Sequence, residues 1–383
     1  MTLKNIRAII NENRLRHFED IVDSARLLCN RRFYMATKPL TWWVDERVRK
    51  GEWKEVSLSP RITGLDREVS IFEGQRKSSF IKHFSLSKKE RKETWCPPIW
   101  YDLAIGSGPC GLLCRSCFLI LTHRIKRDPR RHLIYTNYED MKREVRKWLM
   151  TCSPHTTLGL GIDCSDSLLY DRYTGITQWL IPLFGYPAHN PNDAELILLT
   201  KSANVDQLQD LPHNHKVIVS FSLNPQPIAD LWEGIAPSID RRLEAGLKVQ
   251  AWGYDYRWRL DPILTPPEWQ AIYLDFFKAT SKASHRPSRI TLGTYREKNT
   301  QLSLWAEKWG IPPMDWEPPD LVKQGSHHHL PHERRKEIYA TIIPMIQSHF
   351  PETKVALCKE THTLRRELGI CNAACNCLNT LGP

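Results

Sequence analysis

The stretch that decides the fold is residues 101–119, which read YDLAIGSGPCGLLCRSCFL. It begins as a short apolar run, residues 101–105, and passes into a glycine-rich loop with Cys110, Cys114 and Cys117 in the spacing C-x3-C-x2-C. An apolar run that leads into a loop rich in reactive side chains is typical of the first strand and loop of a parallel βα sheet. We therefore expect three ligand-binding cysteines at the carboxyl end of that strand.

The rest of the chain continues this rhythm, because short apolar runs alternate with amphipathic segments, which predicts an α/β fold with a parallel sheet. The predicted strands are residues 101–105, 157–162, 195–200, 216–221, 247–252 and 288–292. The predicted helices are residues 139–150, 174–182, 205–209, 237–245, 267–279 and 332–347, and a further short strand is expected at 354–357. Six strand–helix units predict a partial (β/α)6 barrel.

The chain divides by composition into three predicted regions. These are a basic N-terminal extension (1–95), the partial barrel (96–310) and a C-terminal substrate-side segment with a cysteine-rich tail (311–383). The formal net charge is +11, and residues 1–95 hold 21 Lys and Arg against 13 Asp and Glu. Basic surfaces attract phosphate backbones, although a solvated basic surface that maintains solubility has the same composition. With no long apolar run and no signal-peptide pattern, we expect a cytoplasmic protein without a membrane span.

The cysteine spacing indicates the chemistry of the first loop. Three thiolates on one tight loop can bind three irons of a [4Fe-4S] cubane and leave the fourth iron open to the amino and carboxylate groups of S-adenosylmethionine (SAM). A structural zinc site normally takes four ligands from two C-x2-4-C pairs, and no second pair lies near this loop. Buried free cysteines are the third alternative. The sequence favours Cys110, Cys114 and Cys117 as ligands of a [4Fe-4S] cluster.

A second cysteine group lies near the C-terminus. Its members are Cys358, Cys371, Cys375 and Cys377. Four thiolates suffice for an auxiliary Fe–S cluster or for a zinc ion. A mobile cysteine-rich tail without a metal is the alternative interpretation.

Polar residues follow the predicted strands at the edge where a βα barrel gathers its chemistry. Asp163 and Ser165 follow the second strand, Lys201 the third, and Ser222 and Asn224 the fourth. Donors and acceptors at these places suit the carboxylate, amine and ribose of SAM. Ser, Asp and Asn are equally common as helix caps and turn formers, whereas a lysine is harder to explain in that way.

Several further segments occur in a recognisable order after the cysteine loop. They are residues 135–140 (YTNYED), 164–168 (CSDSL), 199–202 (LTKS), 220–224 (SFSLN), 237–246 (PSIDRRLEAG) and 261–263 (DPI). In this order they resemble the spore photoproduct lyase family of radical SAM enzymes. The resemblance implies a partial (β/α)6 barrel, a [4Fe-4S] cluster fed by an electron donor such as flavodoxin or ferredoxin, and cleavage of SAM to a 5′-deoxyadenosyl radical. It also implies that Lys201, Ser222 and Ser165 contact SAM.

The chain departs from this family at positions close to the chemistry. The family's lyases repair a thymine dimer in spore DNA, where the adenosyl radical abstracts a hydrogen atom and a cysteine returns one. Their tyrosines flank the third cluster cysteine, where this chain has Ser116 and Phe118. Their donor cysteine corresponds to Asp163, so Cys164, one position further on, is the candidate hydrogen donor.

Three functions remain open at this point. The first is a radical SAM enzyme of the photoproduct-lyase type that acts on DNA or another nucleic acid. The second is a radical SAM enzyme that acts on a peptide or small molecule with the help of an auxiliary cluster. The third is a non-catalytic, zinc-bearing protein that binds nucleic acid.

Overall fold

The structure, a computed structural model, describes residues 48–85, 87–88, 92, 94, 99–108, 110–115, 117, 119, 132–297, 320–324 and 327–370. The strands are β1 Trp53–Leu58, β2 Val69–Gly74, β3 Ile81–Ser85, β4 Ile99–Leu103, β5 Gly106–Ser107, β6 His132–Tyr135, β7 Thr157–Leu160, β8 Glu195–Thr200, β9 Val217–Ser222, β10 Asp255–Ile263, β11 Arg289–Thr294, β12 Arg296–Glu297, β13 Val322–Gln324, β14 His327–His329 and β15 Lys354–Leu357. The helices are α1 Pro60–Thr63, α2 Tyr138–Thr151, α3 Asp171–Thr174, α4 Ile176–Gly185, α5 Gln226–Trp232, α6 Ile239–Ala251, α7 Trp269–Lys282, α8 His332–His349 and α9 His362–Glu367.

The main sheet has eight strands in the order β15-β11-β10-β9-β8-β7-β4-β3. Its strands are parallel except β3, which pairs antiparallel with β4. The parallel strands follow one another in chain order, so their carboxyl ends share one edge of the sheet, as in an open, partial βα barrel. The predicted α/β class and partial barrel are confirmed, with β15 as an additional parallel strand.

One predicted strand is wrong, because residues 247–251 lie in the second half of α6 and Trp252 is its C-cap. The run Leu247–Trp252 alternates apolar and polar residues, which favours a strand. The helix prevails because Arg242, Ala245, Gly246 and Val249 are buried along one helical face. The strand that follows is β10, where buried Tyr256, Trp258 and Leu260 alternate with charged residues.

The remaining predicted elements agree with the structure, apart from one short helix. Strands β8 and β15 coincide with their predicted bounds. The helix expected at residues 205–209 is reduced to a 3-10 turn at Asp206–Leu208. Within the described ranges, no helix has both the length and the apolar content needed to cross a membrane.

A second sheet contains four strands in the order β1-β2-β6-β5. Strand β1 is antiparallel to β2, and β2 is parallel to β6, whose partner on the other side is β5. Strands β1, β2 and β3 all come from the region predicted as an N-terminal extension, and β3 pairs with β4 across the boundary expected at residue 95. Residues 48–383 form one compact unit, and the division of the chain at residues 95 and 311 stays a prediction.

Candidate functional site

The three cysteines of the first loop follow β5 and lie against the four-stranded sheet. Cys114 is buried, and Cys110 and Cys117 are half-buried. They belong to a hydrophobic cluster with Leu112 and Tyr170, to which β1, β2 and β6 also contribute. The N-terminal strands therefore form the floor on which the cysteine loop rests.

The last residue of α5 and the segment after it form backbone hydrogen bonds with the cysteine loop. The Arg115 N–H donates to the Trp232 carbonyl at 2.9 Å, and the Ile235 N–H donates to the Leu112 carbonyl at 3.0 Å. Between these two bonds lies Gly234, where a Cβ atom would overlap the Leu112 carbonyl oxygen. Only glycine allows the two backbones to approach so closely.

The electrostatics of the three thiols fit an iron–sulfur cluster. Burial raises the pKa of Cys110 well above its usual value, and the charges of Asp166, Cys114 and Cys117 raise it further. Burial also raises the pKa of Cys114 to about 12 and that of Cys117 above its ordinary value. Thiolates at these three positions would repel one another and would form a donor set that bound iron could stabilise, since metal binding requires deprotonated cysteines.

Three cysteines on one loop suit a cluster with one open iron better than a structural zinc ion. Structural zinc needs four ligands that converge on one centre. In a cubane, by contrast, each thiolate binds a different iron, and three cysteines leave the fourth iron open. In the part of the chain that the structure describes, no group of three or more His, Cys, Asp or Glu side chains is arranged to hold one metal ion, so the cluster at these cysteines stays a prediction.

A charged network lies beside this loop at the ends of β8 and β9. The Lys201 ammonium group donates to Ser222 Oγ at 2.7 Å and pairs with Glu233 Oε1 at 2.7 Å. Glu233 also binds the buried Arg242 guanidinium, which donates to the Ser222 carbonyl at 3.1 Å. Burial alone would raise the pKa of Glu233, but the charges of Lys201 and Arg242 outweigh it and hold that pKa below its ordinary value. Lys201 affects the pKa of both Cys114 and Cys117, so the network and the cysteine loop form one site.

Asp166 positions the backbone of this network. Its carboxylate accepts from the Leu168 and Leu169 N–H groups at 3.0 Å each, from Thr200 Oγ1 at 2.7 Å and from the Lys201 N–H at 2.6 Å. These bonds tie the loop after β7 to the end of β8. Burial raises the pKa of Asp166 despite these bonds.

The predicted SAM-binding residues differ in how many hydrogen bonds their side chains already make within the protein. Ser165 Oγ is buried and has no hydrogen-bond partner among the described residues, so its hydroxyl is open to a ligand. Asn224 donates to the Pro262 carbonyl at 3.2 Å and accepts from the Tyr273 hydroxyl at 2.8 Å, which makes it part of the barrel wall. A role of Asn224 in SAM binding stays a prediction.

The thiol of Cys164, the candidate hydrogen donor, lies in space beside Gly106, where the cysteine loop begins. It is buried next to Asp102 and the Gly106 backbone, and burial followed by the charge of Asp102 raises its pKa to about 12. Asp102 accepts from the Ile162 N–H at 2.9 Å and the Asp163 N–H at 3.3 Å, and burial raises its pKa to about 8. The thiol therefore keeps its proton at neutral pH, as a hydrogen-atom donor must.

The second predicted metal site is described only at Cys358. Its sulfur lies 3.3 Å from Arg259 Nη2 and 3.5 Å from Arg296 Nη2, and both guanidinium groups also bind Asp261. Two cations beside a sulfur are unfavourable neighbours for a metal ion. The other three cysteines, at 371, 375 and 377, lie outside the described residues, so the auxiliary cluster or zinc site stays a prediction.

Sequence reasoning missed Glu233 and Arg242, whereas Asp166 is one of the polar residues expected after the second predicted strand. Glu233 is an isolated acidic residue after a short helix, and nothing in its spacing relates it to the cysteines. Asp166 stands inside the CSDSL segment, directly after Ser165. An acidic residue just past an apolar strand was therefore the one available signal for it.

The chain is similar in sequence to proteins of one known family. A family model described as "Spore photoproduct lyase" matches residues 55–301. The spore photoproduct lyase of Clostridium acetobutylicum is 26% identical over 228 residues, 59% of this chain and 64% of the relative. That of Geobacillus sp. strain Y412MC61 is 27% identical over 231 residues, 60% of this chain and 65% of the relative. The chain thus spans just under two thirds of the length of these two proteins.

Solved structures agree with the fold. Spore photoproduct lyase complexed with dinucleoside spore photoproduct has a TM-score of 0.61 at 22% identity, covering 75% of this chain and 82% of that one. A double mutant with bound AdoMet and dinucleoside spore photoproduct has a TM-score of 0.59 at 22% identity, covering 71% and 80%. A partial parallel barrel whose first loop carries three cysteines defines the radical SAM class of proteins. Within that class, this chain belongs to the spore photoproduct lyase family.

Proposed function

We propose that this chain is a radical SAM enzyme of the lyase type that acts on a photoproduct in DNA or another nucleic acid. The observation that carries the proposal is the joint site of the three loop thiols, of which Cys114 is buried, and the Lys201–Ser222 pair at the carboxyl edge of the sheet. When bound, a [4Fe-4S] cluster held by Cys110, Cys114 and Cys117 supplies the electron that breaks a C–S bond of SAM and yields the 5′-deoxyadenosyl radical.

The side chains around the cysteine loop have distinct roles in this proposal. Lys201 and Ser222 bind the carboxylate of SAM, because an ammonium group and a hydroxyl supply the donors that it needs. Glu233 is a positioning residue that keeps the Lys201 ammonium group directed at the site. Ser165 offers its hydroxyl to the bound SAM, and Asp163 is proposed to face the same ligand. The protonated thiol of Cys164 gives a hydrogen atom to the substrate radical and is left as a thiyl radical, which one electron from the electron donor and one proton restore to the thiol.

The substrate class follows from charge and family. The surplus of basic residues suits a polyanionic partner. A relative has been solved with a dinucleoside spore photoproduct, and another with AdoMet as well. We propose a nucleic-acid photoproduct as substrate, a flavodoxin or ferredoxin as electron donor and the cytoplasm as the place of action.

The experiment that tests this function measures 5′-deoxyadenosine. The protein is reconstituted anaerobically with iron and sulfide, reduced with dithionite and incubated with SAM and either UV-irradiated or unirradiated DNA. The Cys110→Ala/Cys114→Ala/Cys117→Ala variant is the negative control, and Cys152→Ala, a free cysteine outside the loop, is the matched control.

We expect 5′-deoxyadenosine from the wild type and Cys152→Ala, with loss of thymine photoproduct from the irradiated DNA. Release of 5′-deoxyadenosine without any change in the DNA would replace the nucleic-acid substrate by a peptide or small molecule. A reconstituted, reducible cluster that never cleaves SAM would overturn the enzyme proposal. Iron or zinc that remains in the triple variant would indicate the C-terminal site.

A further inference from the structure

Tyr170 is a buried tyrosine beside the cysteine loop that the proposed mechanism does not use. It directly precedes α3, and its ring stacks on His132 with 5.4 Å between ring centroids and 12° between planes. His132 is itself fully buried on β6. The ring therefore has little freedom to turn its hydroxyl elsewhere.

The hydroxyl of Tyr170 lies beside the first cysteine of the loop, which packs against the same hydrophobic cluster. Its oxygen is buried, and its O–H has no acceptor among the described residues. It lies against the backbone of Gly111, so closely that a Cβ atom there would overlap it. Gly111 directly follows Cys110, whose charge is, after burial, the main reason that the pKa of Tyr170 lies well above 10. A buried hydroxyl without an acceptor is unfavourable, so this O–H requires an acceptor at the loop.

We propose that the Tyr170 hydroxyl donates a hydrogen bond to the Cys110 sulfur when the cluster is bound, and that this bond raises the reduction potential of the cluster. The inference rests on the proposed function, because it needs a cluster at Cys110. Hydrogen bonds to the sulfurs are among the factors that set the potential of an Fe–S cluster. A donor offsets part of the negative charge that reduction adds, so it stabilises the reduced form more than the oxidised form.

Tyr173 provides a matched control for Tyr170. It packs against the same hydrophobic cluster, three residues further along the chain. Its hydroxyl donates to Glu73 Oε1 at 2.7 Å and therefore is not available to the loop. Tyr170→Phe and Tyr173→Phe each remove one hydroxyl from the same region, but only the first removes a donor beside Cys110.

The test is the midpoint potential of the reconstituted cluster, measured by EPR-monitored redox titration in the absence of SAM. We expect a more negative midpoint potential in Tyr170→Phe. At a fixed solution potential, the ratio of reduced to oxidised cluster should be about tenfold lower than in wild type, which corresponds to a shift of about 59 mV for one electron. Tyr173→Phe should keep the wild-type potential. Equal potentials in wild type and Tyr170→Phe would overturn the inference.

A second measurement covers the case in which Tyr170→Phe does not load a cluster. In wild-type protein exchanged into D2O, ENDOR of the reduced cluster should show a coupled deuteron from the tyrosine hydroxyl that is retained in Tyr173→Phe. Its absence from a loaded wild-type cluster would also overturn the inference. A wild-type protein that binds no cluster at all would instead refute the proposed function.

Discussion

Lys201 pairs with Glu233 at the end of β8, and its charge counteracts the burial that raises the pKa of Cys114 and Cys117. A lysine directly after an apolar strand is difficult to explain as a cap, and the structure places it beside the cysteine loop. Its partner Glu233 could not be predicted, because a contact across 32 residues leaves no periodic pattern in the sequence. The ion pair itself depends on the tertiary packing that also buries Arg242 against Glu233.

Replacement of Lys201 by alanine should weaken SAM binding by about tenfold to a hundredfold, the value of a hydrogen bond to a charged group. Lys248→Ala is the control, because Lys248 is an exposed lysine paired with Asp206 at 2.7 Å. Equilibrium binding of SAM to the reconstituted proteins measures the effect. An unchanged affinity in Lys201→Ala would remove this residue from the SAM site.

Asp102 makes stability depend on pH in a direction opposite to that of an ordinary ion-paired carboxylate. Burial raises its pKa from an ordinary value of 3.8 to about 8 in the folded protein. The unfolded chain therefore loses this proton first, and the free energy of unfolding falls as pH rises from about 4 to 8, by at most about 1.4 kcal/mol per pH unit. Below pH 4 the contribution of this group is fully present.

The variant Asp102→Asn removes this titration. The free energy of unfolding of wild type falls from pH 5 to pH 8, whereas that of the variant lacks this fall. The difference between them should therefore shift in favour of the variant by up to about 4 kcal/mol. Urea denaturation of both proteins at the two pH values gives the comparison. If the two proteins differ in free energy of unfolding by the same amount at pH 5 and at pH 8, Asp102 is ionised in the folded state.

At the scale of elements, the apolar strands were predictable and the strand rich in charge was not. Strands β7, β8 and β9 are buried along their length, so their composition alone identifies them. Strand β10 carries Arg257 and Arg259, which are stabilised by ion pairs with Asp255 and Asp261. These ion pairs form only in the folded chain, so the sequence did not predict β10. It predicted a strand at residues 247–252 instead, most of which lie in α6.

The contact between the segment after α5 and the cysteine loop gives a prediction at this scale. Gly234→Ala should reduce iron incorporation strongly, because the new Cβ would lie 2.7 Å from the Leu113 carbonyl oxygen and closer still to that of Leu112. Neither atom can move without shifting the cysteines.

Gly369→Ala is the control for Gly234→Ala. It has open space around it but a φ of +68°, so alanine should cost about 1 kcal/mol of stability and leave iron binding unchanged. Iron and sulfide analysis after reconstitution distinguishes the two variants. Full iron content in Gly234→Ala would mean that the loop can hold the cluster without this contact.

At the scale of the whole molecule, the sequence predicted the parallel barrel but not the sheet beneath the cysteine loop. The barrel follows chain order, so local periodicity reveals it. The second sheet pairs β2 with β6, which lies more than 50 residues further along the chain, and no local pattern records such a pairing. Residues from the predicted N-terminal extension consequently form part of the site's support.

The charge of the molecule gives a prediction for its partner. A formal charge of +11 predicts that affinity for DNA falls steeply with salt. Neutralisation of even two phosphates implies a loss of about tenfold between 50 and 200 mM salt. Fluorescence anisotropy with a labelled duplex at several salt concentrations measures the slope. A flat salt dependence would be evidence against a nucleic-acid partner.

The central claim is that the thiolates of Cys110, Cys114 and Cys117 leave one iron of a [4Fe-4S] cluster open to SAM. The most direct test is the EPR spectrum of the dithionite-reduced, reconstituted protein before and after addition of SAM. The account predicts a reduced-cluster signal that is absent from the triple cysteine variant and that changes when SAM binds. A signal that SAM leaves unchanged, or a colourless protein that retains zinc at these cysteines, would contradict it.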